Sequence, residues 1–483
     1  MKPIRHIALL LCVVSATALS AQDTQRLSEQ ELTGTARYVG MGGAMTAIGG
    51  DPSAVKDNPA GLGLYRRMEV MISFDERYDR THQAGADWKK NNYFVAPQAS
   101  WVFAFGDPYK ERGVIYNNFM FSYSRLRTFN RSFAATATGQ TTSLADVICL
   151  NTNGLQEKAL QPAGRWNDVN VGWLSCQGYD THLINPLEVG GNQWTTVLLE
   201  GETLSNSLRI REYGYANQYG LDWGMNISNR VYLGAGIRML SFSYSQTAEY
   251  SETFGGGGDL LNKTDLTMSG IGVNGAFGII YRPVECLRLG ASIQTPTAST
   301  LSVGNGGTLS AITDSLRTSG TPTNSTSVSG FRMPLRSSVS MAFQIKQYGL
   351  LSFQYDYQHQ KNMNDVHSLR AGLEIVPINN LFINAGYVYE SSFRKQEDIV
   401  KHAYDAVRTD TYFQNIRRTQ QNIRRTQYIS LGVGYRGKVF VAQAAYQLGL
   451  QGINLYAHQL ATPYDMRTQT HRVVFTLAWH TRD

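Results

Sequence analysis

After its first two dozen residues, this 483-residue chain has no run approaching the ~20 consecutive apolar residues of a membrane helix. Charge is also scarce, at 17% of the sequence. A soluble globule carries nearer a quarter charged residues, and at this length it would normally split into domains. The missing apolar run excludes helical spans and nothing more, because a barrel strand needs only ~10 residues of alternating character. Cysteine is rare, with four in all. What the chain has in quantity is 27 Tyr, 19 Phe and 46 Gly.

The first segment reads as a targeting signal. Lys2 and Arg5 make a positive start, Ile7 to Val14 form a short apolar core, and Ala16, Ala18, Ser20 and Ala21 supply small residues for cleavage after Ala21. A lipid anchor on Cys12 is the rival, but Cys12 follows three leucines inside the apolar core. Export permits disulfides, so Cys149 and Cys176, which share one long predicted loop, are a candidate bridge. Cys286 reads as a small buried residue. The net charge of +7 falls to about +5 without Lys2 and Arg5, and it is spread along the chain. That favours attraction to anionic lipopolysaccharide over a nucleic-acid groove.

From about residue 68 the dominant pattern is period-2 alternation. Leu351, Phe353, Tyr355 and Tyr357 share one face while Ser352, Gln354, Asp356 and Gln358 share the other. Such segments fit antiparallel strands with one apolar face. Fourteen strands are expected, near 68–76, 93–105, 113–126, 209–227, 231–246, 266–282, 286–297, 335–346, 349–360, 367–376, 380–391, 427–437, 438–449 and 469–480. Their linkers alternate between tight turns such as Ser228-Asn229-Arg230 and long polar stretches at 128–208, 298–334 and 392–426. That rhythm is the signature of a closed antiparallel transmembrane β-barrel, and an all-β sandwich has no reason to keep it. The inward face is polar and Gly-rich (Asp222, Asn226, Arg370, Glu374, Asn384), which implies a wet or plugged lumen.

One strand breaks the pattern. Val231 to Met239 carry apolar residues on one face, and Leu240, Phe242 and Tyr244 then occupy the other. Either a bulge at Met239-Leu240 shifts the register, or the strand has left the membrane. Gly255 to Gly258 lack the Lys-Ser/Thr and helix of a phosphate loop. The repeat spanning Asn415 to Gln427 reads as a loop duplication. No Gly-x-Ser-x-Gly elbow of a hydrolase appears. His82, His359, His367 and His402 fall in or near loops without metal-ligand spacing, so no enzyme, metal or cofactor is expected.

Residues 22–67 do not alternate. They hold Gly40-Met41-Gly42-Gly43-Ala44, then Asp51-Pro52-Ser53-Ala54, then Asn58-Pro59-Ala60-Gly61-Leu62. Small residues at this density allow close backbone approach, and Pro59 holds Asn58 out of the helical region. A compact, mostly apolar piece ahead of a polar-lined barrel is most simply a plug. This arrangement resembles the N-terminal hatch of the FadL family of long-chain fatty-acid and hydrocarbon transporters. The motif likeness covers residues 36–64, and the rest is similar in architecture only. The resemblance implies a fourteen-strand barrel blocked by the hatch, with Gly40, Gly42, Gly43 and Asn58 to Leu62 as hatch or gate residues. It further implies a hydrophobic substrate in the upper lumen, hatch movement and lateral exit beside a kinked strand. One departure is the position of the longest loop, after the third strand.

The expectation is therefore an outer-membrane protein of a Gram-negative bacterium, monomeric, with a signal at 1–21, a hatch at 22–67 and a barrel at 68–483. Its partners would be a hydrophobic small molecule and the surrounding lipid and lipopolysaccharide. Barrels attached to secretion systems share a similar Gly-rich start and Asn-Pro-Ala element, so a structural or secretion role is the alternative.

Overall fold

The computed structural model describes residues 27–481, apart from 28, 30, 84–87, 162–164, 168–170, 323, 360–364, 392–419 and 459. Side chains at 167, 324, 326–331 and 420–424 also lie outside the description. The expected leader, His402 and the first copy of the loop repeat fall among the residues left out.

Twenty strands follow in order: β1 (Glu69–Gln83), β2 (Lys89–Gly106), β3 (Val114–Thr128), β4 (Arg131–Gln140), β5 (Ile184–Pro186), β6 (Trp194–Thr196), β7 (Leu204–Ile227), β8 (Val231–Phe254), β9 (Asp259–Val284), β10 (Leu287–Gln294), β11 (Ala298–Ile312), β12 (Leu316–Gly320), β13 (Asn324–Arg332), β14 (Leu335–Ile345), β15 (Gly349–His359), β16 (Val366–Ile378), β17 (Leu381–Glu390), β18 (Gln420–Arg436), β19 (Phe440–Tyr456) and β20 (Tyr464–His480). Fourteen of them, β1–β3, β7–β10 and β14–β20, pair antiparallel in sequence order, and β20 closes on β1. Closure pairs the backbone of both end strands, which a wall in lipid requires.

The turns at one end follow from local chemistry. Ser228 and Asn229 both take positive φ, as do Lys346 and Asn380, the left-handed backbone that tight hairpins need. The outward face near that end carries exposed large apolar side chains such as Phe121, Leu221, Ile237, Phe277, Leu431 and Trp479. Aromatic stacks such as Trp101–Phe103, with ring centroids 4.8 Å apart, reinforce it. A band of this kind around a closed sheet is a lipid-facing surface. Among the described residues no helix is long and apolar enough to cross a membrane.

At the other end, two of the expected long loops, 128–208 and 298–334, are folded where described. β7, β8 and β9 run 24, 24 and 26 residues, well past the barrel, and β4 and β11–β13 extend the same sheet. The described residues within 141–203 form a cap of short helices, chiefly Leu144–Thr152 and Trp173–Asp180, with the small β5–β6 hairpin.

The expected bulge at Met239-Leu240 is not formed. β8 keeps unbroken register with both β7 and β9. Its inward face changes from Tyr232, Gly234, Gly236 and Arg238 to buried Leu240, Phe242 and Tyr244. The face stays the same and its surroundings change. Beyond the lipid the outside of β8 meets water, and the inside packs an apolar core.

Candidate functional site: the barrel interior

The segment ahead of β1 lies inside the barrel and is almost wholly buried from Leu32 to Gly63. Its short elements are capped in sequence. Thr35 accepts from Tyr38 N ahead of the helix Ala36–Gly40, Asp51 accepts from Ser53 N ahead of Pro52–Asp57, and Asn58 accepts from Ala60 N ahead of the 3₁₀ turn Pro59–Leu64. Pro59 sits where a helix start tolerates it. The Asn58 amide donates to Thr46 C=O at 2.9 Å and to Ile279 C=O of β9 at 3.3 Å, so one side chain joins two parts of the segment to the wall.

The wall answers with polar side chains and missing ones. Arg37 donates to Glu374 through Nε at 2.6 Å and a second nitrogen at 3.0 Å. Asn118 donates to Leu62 and Tyr65 carbonyls, both at 2.8 Å, and Arg238 reaches Val55 C=O at 3.0 Å while paired with Asp222. Ser430 donates to Gly40 C=O. A Cβ on Gly234 would lie 2.2 Å from Pro59 C, and one on Gly386 would lie 2.1 Å from Gly42 N. All eight glycine, Asn-Pro-Ala and flanking positions singled out in the sequence (Gly40, Gly42, Gly43 and Asn58 to Leu62) are thus buried within the lumen. Sequence reasoning missed Arg37, Asn118 and Arg238. It also missed the meaning of inward glycines at alternate strand positions, which were visible as Gly-x-Gly in β8.

The interior is layered. Beneath the segment, toward the tight turns, a cavity of about 580 Å³ is lined by groups including Arg37, Asp51, Glu69, Arg288 and Arg436. Above it runs a belt of buried ion pairs: Arg472–Asp75, Arg77–Glu31, Arg127–Glu29, Arg131–Glu212 and Arg370–Asp356. Beside and above this belt is an apolar cluster of Leu27, Leu126, Phe129, Leu240, Phe242, Tyr244, Leu266, Met268, Leu301, Val303 and Met333. Its remaining void is only about 20 Å³, and Leu27 helps line it.

The wall is incomplete beside that cluster. β2 pairs with β3 only from Gln98 to Gly106. Higher up, Ala96 and Pro97 oppose the single residue Phe74 of β1, a bulge, and Pro97 has no N–H to give a neighbour. The window this leaves is bounded below by Ser124 Oγ donating to Gln98 at 2.7 Å. Above, Asn91 donates to Asn130 C=O at 2.6 Å.

The cap closes the top. Ile148, Leu160, Leu174, Leu183 and Ile184 bury themselves against Leu208, Ile210, Leu260, Leu309, Ile453 and Met466 of the extended strands. Cys149 and Cys176 are both buried in this cluster and no disulfide joins them. Cys149 Sγ instead donates to Trp194 C=O at 3.1 Å, and burial pushes its thiol pKa up. Their role is to fill apolar space. Cys286 is exposed rather than buried, because it sits in the turn between β9 and β10.

Glu252 of β8 anchors the cap. It accepts from Leu144 N at 2.7 Å and from Ser143 Oγ, at the N-terminus of the first cap helix, where negative charge is stabilised. His458 lies 3.9 Å from Glu252, its ring nitrogens without hydrogen-bond partners among the described residues, and burial pushes its pKa down to about 4. An unfolded histidine titrates near 6.5. Between these values the opened cap binds the extra proton, so acid costs the closed state its stability from about pH 6.5 down to about 4. Burial raises the Glu252 pKa above the usual carboxylate range, which contributes a slope of the opposite sign. His458→Phe is expected to remove the acid-side loss, read as cap proteolysis between pH 7 and 4.5. Equal acid sensitivity in both proteins would refute this.

No family model matches the chain, and no curated protein matches it in sequence. Solved structures do match. The Ralstonia pickettii toluene transporter TbuX aligns over 93% of this chain and 99% of its own, with TM-score 0.53 and 14% identity. The Pseudomonas putida toluene transporter TodX aligns over 94% and 99%, with TM-score 0.52 and 13% identity. The monoaromatic hydrocarbon channel CymD aligns over 94% and 100%, with TM-score 0.52 and 11% identity. The chain has the fold of these hydrocarbon channels. The fourteen antiparallel strands expected from alternation agree with this barrel. Among the described residues, no group of three or more His, Cys, Asp or Glu could hold a metal ion.

Proposed function

We propose that this chain is an outer-membrane protein of a Gram-negative bacterium, exported on its 1–21 leader, that takes up hydrophobic small molecules passively. Residues 22–67 act as the hatch and 68–483 as the barrel. The apolar cluster around Leu27 is the binding chamber. A solute reaches it by movement of the cap and displaces Leu27, since the present void holds about one water.

The observation that carries the reading is the position of this chamber between a charged belt and an unpaired stretch of wall. An apolar solute gains nothing by entering a layer of buried ion pairs. It can pass between β2 and β3 into lipid without crossing them. The similar structures named as toluene and monoaromatic hydrocarbon channels support the substrate class, and long-chain fatty acids remain within it. Movement of the hatch, through its Asn58 and Arg37 contacts, would accompany release.

The test is uptake into cells lacking their own hydrocarbon barrels, using radiolabelled toluene, a long-chain fatty acid and a sugar in parallel. Expression is expected to raise uptake of at least one apolar solute above empty vector and to leave the sugar unchanged. Uptake equal to vector for every apolar solute would overturn the proposal.

A further inference from the structure

We infer that the outer rim of the barrel over β20, β1 and β2 binds the phosphate of an anionic lipid in the outer leaflet. This rests on the membrane-spanning, outward-capped orientation proposed above.

On β20 the outward positions rise from Trp479 through Leu477, Phe475 and Val473 to His471. Eight residues of tilted strand climb roughly 20 Å, so His471 stands where hydrocarbon gives way to headgroups. The neighbouring side chains fit that level. Tyr446 Oη lies 2.7 Å from His471 Nδ1, and Tyr78 packs on the same imidazole with ring centroids 6.3 Å apart. Amphipathic aromatics with one wet end belong at such an interface.

One outward step higher, Arg80 of β1 faces Lys90 of β2 directly across the ladder. Like charges opposite one another destabilise a sheet, yet neither has a carboxylate partner among the described residues. Glu76, the nearest acid on the outward face of β1, lies four residues below, opposite Phe94 and Val473. Arg80 is held in place, its guanidinium 4.9 Å over the Tyr78 ring, with Nε buried and, among the described residues, without a hydrogen-bond partner. A guanidinium fixed over an aromatic ring beside an exposed ammonium is a phosphate-recognition pair: a planar fork and a point charge.

The surface below selects a lipid over free phosphate. Phe74 and Phe94 stack at 5.9 Å on the outward face, six and four residues below the pair and beyond Tyr78, Asn92 and Glu76. A phosphorylated glycolipid of the outer leaflet can set its phosphate on Arg80 and Lys90 and its acyl chains on these rings.

The test uses the full chain in detergent, with lipid A, the same lipid dephosphorylated, and inorganic phosphate as probes, read by native mass spectrometry. Wild type is expected to retain lipid A and to retain the dephosphorylated lipid no better than Arg80→Gln/Lys90→Gln does. The double variant should lose lipid A retention by an order of magnitude while keeping the heat-modifiable gel mobility of a folded barrel, and Arg80→Lys should restore part of it. Lipid A retained equally by wild type and double variant would overturn the inference, as would wild type retaining the dephosphorylated lipid as well as it retains lipid A. Inorganic phosphate displacing lipid A from wild type at equal concentration would also overturn it, by removing the lipid from the recognition. Apolar-solute uptake by the double variant should match wild type, so failure here and failure of the transport reading are separable.

Discussion

Valine at Gly386 or Gly234 is expected to leave the barrel folded and unblock it, so that a closed lumen conducts small ions. At Gly386 the new Cβ would lie 2.1 Å from Gly42 N and 2.5 Å from Met41 C. At Gly234 it would meet Pro59 C at 2.2 Å and Ala60 N at 2.3 Å. The atoms in the way are backbone of the inner segment, which no rotamer change can relieve. Overpacking a tight interior costs about 1–3 kcal/mol where side chains can yield, and here they cannot. The strand ladders do not depend on these contacts, since β17 keeps its pairing with β16 and β18 through backbone groups alone. The inner segment must therefore move. Planar-bilayer recording should show steady conductance in both variants and none in wild type, and Gly256→Val in the exposed Gly run should behave as wild type. Silent bilayers with either variant would mean that the segment is not held by these close contacts.

That prediction depends on a feature the sequence displays but does not explain. Alternation made the barrel legible because a lipid-facing strand must be apolar on one side and is free on the other. The fourteen strands and the turn at Ser228-Asn229 follow from that rule. The same rule fails above the membrane. Leu240, Phe242 and Tyr244 exchange roles with their neighbours because the solvent changes sides: of the two readings of this strand, the bulge assumed a constant environment, and the strand that has left the membrane fits the unbroken register. The long loop after the third strand seemed polar, yet Ser143 and Asp146 form a capping box with both hydrogen bonds present. The Ser-x-x-Asp spacing announced a helix before Leu144, in a segment already assigned to loop. Cys149 and Cys176, read as a candidate bridge, both lie in the apolar cluster of the cap without a disulfide. For the candidate site, motif likeness found the inner segment, while its wall partners Glu374, Asn118 and Arg238 depended on which strands face which, beyond the reach of local pattern.

The gap between β2 and β3 can be removed with one deletion, and the consequence for transport should be large. Ala96 and Pro97 together oppose Phe74, so excising Ala96 turns two residues against one into one against one. Residues 89–95 then fall back one place along β2 and keep their partners on β1. Combined with Pro97→Thr, the edge regains an N–H, and the ladder with β3 can extend above the present last pair at Gln98 and Ser124. An extended ladder satisfies backbone groups that lipid leaves unpaired, so the closed wall should be at least as stable as the native one. With surface expression held equal, uptake of the apolar solute is expected to fall to the vector level. The deletion lies outside the apolar cluster and the cap, so solute binding in detergent should persist. Retained binding with lost uptake places the exit at this window. Uptake that survives sealing would mean that the solute leaves by another path, past the charged belt and the inner segment.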